Sequence, residues 1–178
     1  MKRDFDIASF LKPLASAPLQ AYLSNAVQVA DIMEWVVAQI GECEIWQSSF
    51  SISEEYLRRL FFMKNKNLIK KITLVLDHKA TNMTIKLWVF INELVKDCFL
   101  ADNHSKIILF KSVSGRCVSV VTSQNLTRGN RNESAVVTTD EVIFHNLLGS
   151  LNDLIQNYSV PFSELMEQAV NFDLNELS

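Results

Sequence analysis

Two apolar, β-branched runs, Ile107 to Lys111 and Arg116 to Thr122, are separated by Ser112-Val113-Ser114-Gly115. That spacing predicts an antiparallel hairpin. The hairpin constrains more than its own strands, because it carries its flanks, His104-Ser105-Lys106 and Thr122-Ser123-Gln124-Asn125, to one end of a sheet. Side chains alternate faces along a strand, so His104 and Lys106 are expected to point one way, with Ser105 and Ile107 pointing the other. Ser123 and Asn125 repeat that spacing. Leu126 to Asn132 is polar and contains Gly129, which predicts a loop leading to Glu133.

The chain around the hairpin alternates helical and extended patterns. Residues 5 to 18, punctuated by Pro13 and Pro18, are expected to be irregular, which divides the chain into an N-terminal segment, 1–18, and one domain, 19–178. Leu19, Leu23, Ala26, Val27, Ala30, Met33, Val37 and Ile40 recur at helical spacing and predict a helix over 19–40, ended by Gly41. Glu42 to Phe50 alternates as a strand. Ser51 to Glu54 reads as a capping box opening a helix to about Lys64. Lys64, Lys66, Lys70 and Lys71 then read as a solvated helix end that complements the dipole. Lys71 to Asp77 is the best buried strand, followed by a helix over 81–94, a short strand over 95–100 and, after the hairpin, a strand over 134–139. Asp140 is positioned to cap a helix reaching Tyr158, with a last helix from Ser163 to about Phe172. Alternating elements of this kind predict a layered α/β domain on a mixed β-sheet flanked by helices.

With 178 residues, 48% of them hydrophobic, the chain has enough apolar material for one real core. The net charge of −3 argues against a surface coated for nucleic acid, so any such binding is expected to be local. Cys43, Cys98 and Cys117 form no C-x-x-C pair and read as reduced core thiols. The acidic residues near the N-terminus, with no apolar run after them, and the lack of any stretch near the ~20 apolar residues of a membrane span, predict a cytoplasmic protein without stable membrane association.

The order His104-x-Lys106, Ser123-x-Asn125 and Glu133 resembles the phospholipase D superfamily, whose signature is H-x-K followed by Asp, then G-S-x-N and a later acidic residue. Lys111 stands at the Asp position and Thr122 at the Gly position. The resemblance implies a phospholipase D-like domain with one motif per chain. It implies His104 as nucleophile, Lys106 and Asn125 as phosphate ligands, Ser123 as a hydrogen-bonding neighbour and Glu133 as the carboxylate orienting His104. Lys106 and Asn125 would supply the charge and hydrogen bond that a metal otherwise provides, so no metal or other cofactor is expected. Arg128 and Arg131 are expected to meet substrate phosphates, since guanidinium forks suit phosphate oxygens. His78 and His145 read as structural histidines. One motif supplies one histidine, so the resemblance further implies a homodimer with a shared site. The expected function is a nuclease-type phosphodiesterase working through a phosphohistidine. A phospholipid phosphodiesterase or phosphatidyl transferase, and an inactive module that binds nucleic acid or a partner, are the alternatives.

Overall fold

In the computed structural model, which describes residues 6–80, 85–95 and 97–167, the hairpin sits inside a mixed eight-stranded sheet. We number the strands β1 (Leu19–Ser24), β2 (Cys43–Ser49), β3 (Ile69–Asp77), β4 (Asp97–Ala101), β5 (Ile107–Ser112), β6 (Cys117–Thr122), β7 (Glu133–Thr138) and β8 (Ser159–Pro161). Their order is β1-β7-β6-β5-β2-β3-β4-β8. The pairs β2/β3 and β3/β4 are parallel and the others antiparallel. Helices α1 (Val29–Ile40), α2 (Glu54–Asn65) and α3 (Trp88–Leu94) join the early strands, and α4 (Glu141–Tyr158) precedes β8.

The two faces of the sheet are buried by different helices. Ile45, Ile72, Leu74, Ile108, Phe110, Val120 and Val137 pack with Met33 and Val36 of α1, Leu57 and Leu60 of α2, and Ile91 of α3 in the main core. On the opposite face Val75, Ala101, Ile107, Leu109 and Cys117 pack under Leu151 and Phe144 of α4. The architecture is the layered α/β arrangement expected from the alternation of elements. Asp140 caps its helix as expected, whereas the expected box from Ser51 to Glu54 is replaced by Ser53 as the N-cap, with Glu54 the first helical residue. Ser53 Oγ accepts the Tyr56 N–H at 3.3 Å, and Asp140 accepts the N–H groups of Val142 and Ile143 at 2.8 and 3.0 Å, each cap being worth about 1 kcal/mol. In the hairpin turn Gly115 takes φ +90, a left-handed value that a side chain disfavours.

One predicted element is corrected. The helix expected over 19–40 is a strand, β1, followed by a helix that starts only at Val29. Leu19 and Leu23, which helical spacing had counted toward a buried face, are 67% and 73% exposed, while Tyr22 and Ser24 face inward. Pairing decides the outcome, because β1 runs antiparallel to β7 from Leu19↔Thr138 to Ser24↔Glu133 and so covers what would be an open edge. Residues 81–84 of the helix expected over 81–94, the part beyond residue 167 of the last expected helix, and the acidic tail from Asn171 lie outside the described residues; residues 162–167 are helical. Among the described residues no helix is long and apolar enough to cross a membrane. The three cysteines are free, and burial pushes the thiols of Cys43 and Cys98 up to about 12, so both stay protonated at neutral pH.

Candidate active site

The carboxyl ends of β1, β2, β3, β4 and β6 and the amino ends of β5 and β7 meet at one end of the sheet, the position open α/β sheets use for ligands. The His104 stretch crosses that end as a loop between β4 and β5. It is not the strand that alternation suggested, since β5 begins only at Ile107. Side-chain bonds capture the backbone there. Asn103 Oδ1 accepts the Ser105 N–H at 3.1 Å and the Ser105 hydroxyl at 2.5 Å, an Asx turn that competes with strand pairing. Ser105 Oγ is 2.6 Å from Ser48 Oγ of β2, and Asp77 Oδ2, at the end of β3, accepts the Asn103 N–H at 3.0 Å. His104 itself is exposed, with its ring against Phe50 at a centroid separation of 5.5 Å. Lys106 Nζ donates to the His104 carbonyl at 2.8 Å and lies 3.4 Å from His104 Nδ1.

The second group comes from the end of β6 and the start of β7. The Lys106 carbonyl accepts the Thr122 N–H at 3.0 Å, which extends the hairpin pairing to the site. Ser123 Oγ donates to the Glu133 carboxylate and accepts the Ser134 N–H at 3.0 Å. Among the described residues no hydrogen bond joins Glu133 to His104. Asn125 is half-buried, with its Oδ1 3.4 Å from Ser49 Oγ, and the same hydroxyl accepts the Leu126 N–H at 3.0 Å. The 126–132 loop is pinned to the start of α1 by Gln28, whose side chain bonds Gly129 through both its amide nitrogen, at 3.0 Å, and its oxygen, at 3.1 Å. Arg128 forms an exposed 3.4 Å ion pair with Glu55, and Arg131 is exposed on the loop. His78 and His145 are both exposed, His145 with its ring against Phe144.

Charge ties the two groups together. Partial burial pulls the Lys106 ammonium below the ordinary lysine range, while the negative charges of Glu133 and Asp77 act to raise it. Burial pushes the Tyr22 hydroxyl well above the ordinary tyrosine range, and Asp31 and Glu133 add to the effect. Motif reasoning passes over Asp77, Asn103, Ser48, Ser49 and Phe50. The one signal for them is polar residues closing apolar strands, namely Ser48 and Ser49 after Ile45 and Asp77 after Leu76. Asp77, His78 and Asp102 each place one ligand atom within 4.8 Å of the others. Asp77 already accepts the Lys79 and Asn103 N–H groups, and Asp102 pairs with Lys79. This grouping therefore serves as a tether for the loop. Lys111 is far from all of these residues, exposed near the turn end of β5 and roughly 17 Å along the strand from Lys106 at ~3.4 Å per residue.

The sheet order is matched by solved structures of phospholipase D-like fold. The chain superposes on a phospholipase D family member, Nuc, from Salmonella typhimurium with a TM-score of 0.61 at 18% identity, covering 81% of this chain and 97% of that one. For NucT from Helicobacter pylori the TM-score is 0.59 at 12% identity, over 81% and 98% of the two chains. For the phosphatidylserine synthase of Haemophilus influenzae Rd KW20 it is 0.55 at 9% identity, over 89% of this chain and 46% of that one. No family model and no curated protein sequence matches the chain. The fold of this protein is phospholipase D-like.

Proposed function

We propose that this protein is a phosphodiesterase that cleaves nucleic acid without a metal, through a phosphohistidine on His104, at a site completed by a second copy of the chain. The observation that carries this reading is the Lys106 ammonium held 3.4 Å from His104 Nδ1, beside the Ser123 and Glu133 pair, in a fold shared with Nuc and NucT. A neutral imidazole attacks phosphorus and forms a P–N bond as the P–O bond to the leaving alkoxide breaks. Lys106 and the Asn125 amide meet the phosphoryl oxygens and offset the charge that builds on them. Ser123 holds the turn into β7 through the Ser134 N–H, and exposed Arg128 and Arg131 reach neighbouring phosphates. Glu133 orients the His104 ring, a role that requires its carboxylate to rotate away from Ser123.

The leaving alkoxide needs a proton. The H-x-K loop brings one histidine, His104, beside Lys106; His78 lies at the same end of the sheet but beside Asp77 and Asp102, just beyond β3, and His145 is on α4. A homodimer in which the partner's copy of the motif supplies the acid meets that need, and general-acid help is worth roughly 100- to 10,000-fold. Water then hydrolyses the P–N bond and restores the imidazole. The test is cleavage of labelled single- and double-stranded DNA and RNA in EDTA, wild type beside His104→Ala, with the mass in solution measured by light scattering. Cleavage by dimeric wild type alone is the expected result. A folded protein that cleaves none of the four, or cleaves only with added magnesium, would overturn the proposal.

A binding module without turnover is the second reading. The observation favouring it is that Glu133 is engaged by Ser123 and makes no hydrogen bond to His104. Nucleic-acid binding by both wild type and His104→Ala, with cleavage by neither, would select it.

A further inference from the structure

We propose that Asp77 and Asn103 are positioning residues for His104, holding the 102–106 loop by its backbone so that the exposed imidazole occupies one place; this rests on the catalytic reading of His104 given above. Asp77 is 2% exposed and Asn103 5% exposed, whereas His104 is exposed. Among the described residues the ring makes one close ring contact, to Phe50, and its Nδ1 approaches Lys106, which belongs to the same loop. Its place is therefore set mainly by the backbone on either side.

Each side is fixed separately. On the amino side, Asp77 Oδ2 takes the Asn103 N–H at 3.0 Å, and its Oδ1 takes the Lys79 N–H at 2.7 Å, which fixes the carboxylate to β3's own exit. On the carboxyl side, Asn103 Oδ1 takes both the N–H and the hydroxyl of Ser105. A hydroxyl has one proton. With the Ser105 proton committed to Asn103, Ser48 must donate to Ser105 Oγ across their 2.6 Å separation. The chain of bonds thus runs from β3 through Asn103 and Ser105 to β2, and His104 is the residue it brackets.

Asn103 Nδ2 is buried without a hydrogen-bond partner. Burying an unpaired amide N–H works against stability. The asparagine at this position is thus not the residue that stability alone would place there, whereas its oxygen, which accepts two bonds, is what the loop uses. Small displacements of a reacting group have large kinetic effects, a 1 Å shift costing on the order of 100-fold.

The test compares wild type with Asn103→Ser, Asn103→Ala, Asp77→Asn and Ser48→Ala. It reads the amide exchange of Ser105 and the imidazole resonances of His104 by NMR, with kcat and KM measured on a cleaved oligonucleotide. Serine closes the same turn more weakly than asparagine. The expected order of Ser105 exchange is therefore wild type, then Asn103→Ser, then Asn103→Ala, spanning about tenfold or more. The His104 ring signals should shift in the same order, and kcat should fall by about 10- to 100-fold while KM stays within about twofold. Folded Asn103→Ala with wild-type exchange and wild-type ring signals overturns the proposal. If Asp77→Asn fails to fold, Asn103→Ala and Ser48→Ala still decide the question. If wild type cleaves nothing, the catalytic reading fails, and the exchange and ring signals still report whether this chain of bonds holds the loop.

Discussion

The two ends of the sheet are built on opposite terms. At the turn end, β5 and β6 close through Ser112 to Arg116, Phe110 is fully buried beside Ile45, and the charged residue Lys111 stands exposed in register with Glu44. At the other end the strands finish in buried polar residues, Ser48, Ser49 and Asp77, and Asn103 and Gln124 are buried in the connections. Hydrogen bonds to loop backbone satisfy Ser49, Asp77 and Asn103 Oδ1 there, while Asn103 Nδ2 and Gln124 Oε1 are left without partners. One end converts sequence into apolar packing. The other uses stability to hold loops still, and the candidate catalytic groups are on those loops.

That contrast can be broken by substitution. His104→Ala at the polar end should lower turnover by at least about 1,000-fold, with the denaturant midpoint close to wild type; a large loss of stability would show that the loop is part of the core. Phe110→Ala at the apolar end should do the reverse. It should cost about 3–5 kcal/mol of stability in urea unfolding and leave the turnover of the molecules that remain folded near wild type.

Lys106→Met should lower kcat by about 100-fold, measured on the same oligonucleotide, and should also change how stability depends on pH. The Lys106 ammonium titrates below its ordinary value of 10.5 in the folded protein, chiefly through burial. Between the folded and unfolded values the unfolded chain binds more protons, so stability rises with pH across that window. Lys106→Met should remove this rise, and urea midpoints along the alkaline limb will show whether it does. Lys111→Glu has the smallest expected effect, turnover within about twofold of wild type, because the residue is exposed and far down the strand from the site. A tenfold loss in that variant would mean that the two ends are coupled.

Much of this arrangement is legible in the chain. The hairpin, the cap at Asp140, the helix opening beside Glu54 and the buried strand ending at Asp77 follow from local chemistry: turn residues, capping side chains and β-branched runs act on their immediate neighbours, and the structure keeps them. That the flanks carrying His104, Lys106 and Ser123 meet at one end is legible for the same reason, since the hairpin brings its two flanks together, while their roles and that of Glu133 are what the resemblance implies. The stretch from Leu19 was not legible. Leu19, Leu23 and Val27 satisfy a helical period, yet Leu19 to Ser24 pairs with residues more than a hundred positions away. No local propensity carries that information, because the pairing is decided by an unsatisfied edge of the sheet.

The polar bracket around His104 was hidden in the same way. Asp77, Ser48 and Asn103 lie on separate elements and become neighbours only when β2, β3 and β4 align in parallel. The sequence by itself determined the hairpin, the capped helices and the candidate chemistry at its flanks, because those depend on residues within a few positions of one another. The tertiary structure alone decided the β1 edge, the retreat of His104 from strand to loop, and the bonds that hold it there. Those depend on backbone and side-chain groups that meet only after distant strands have paired.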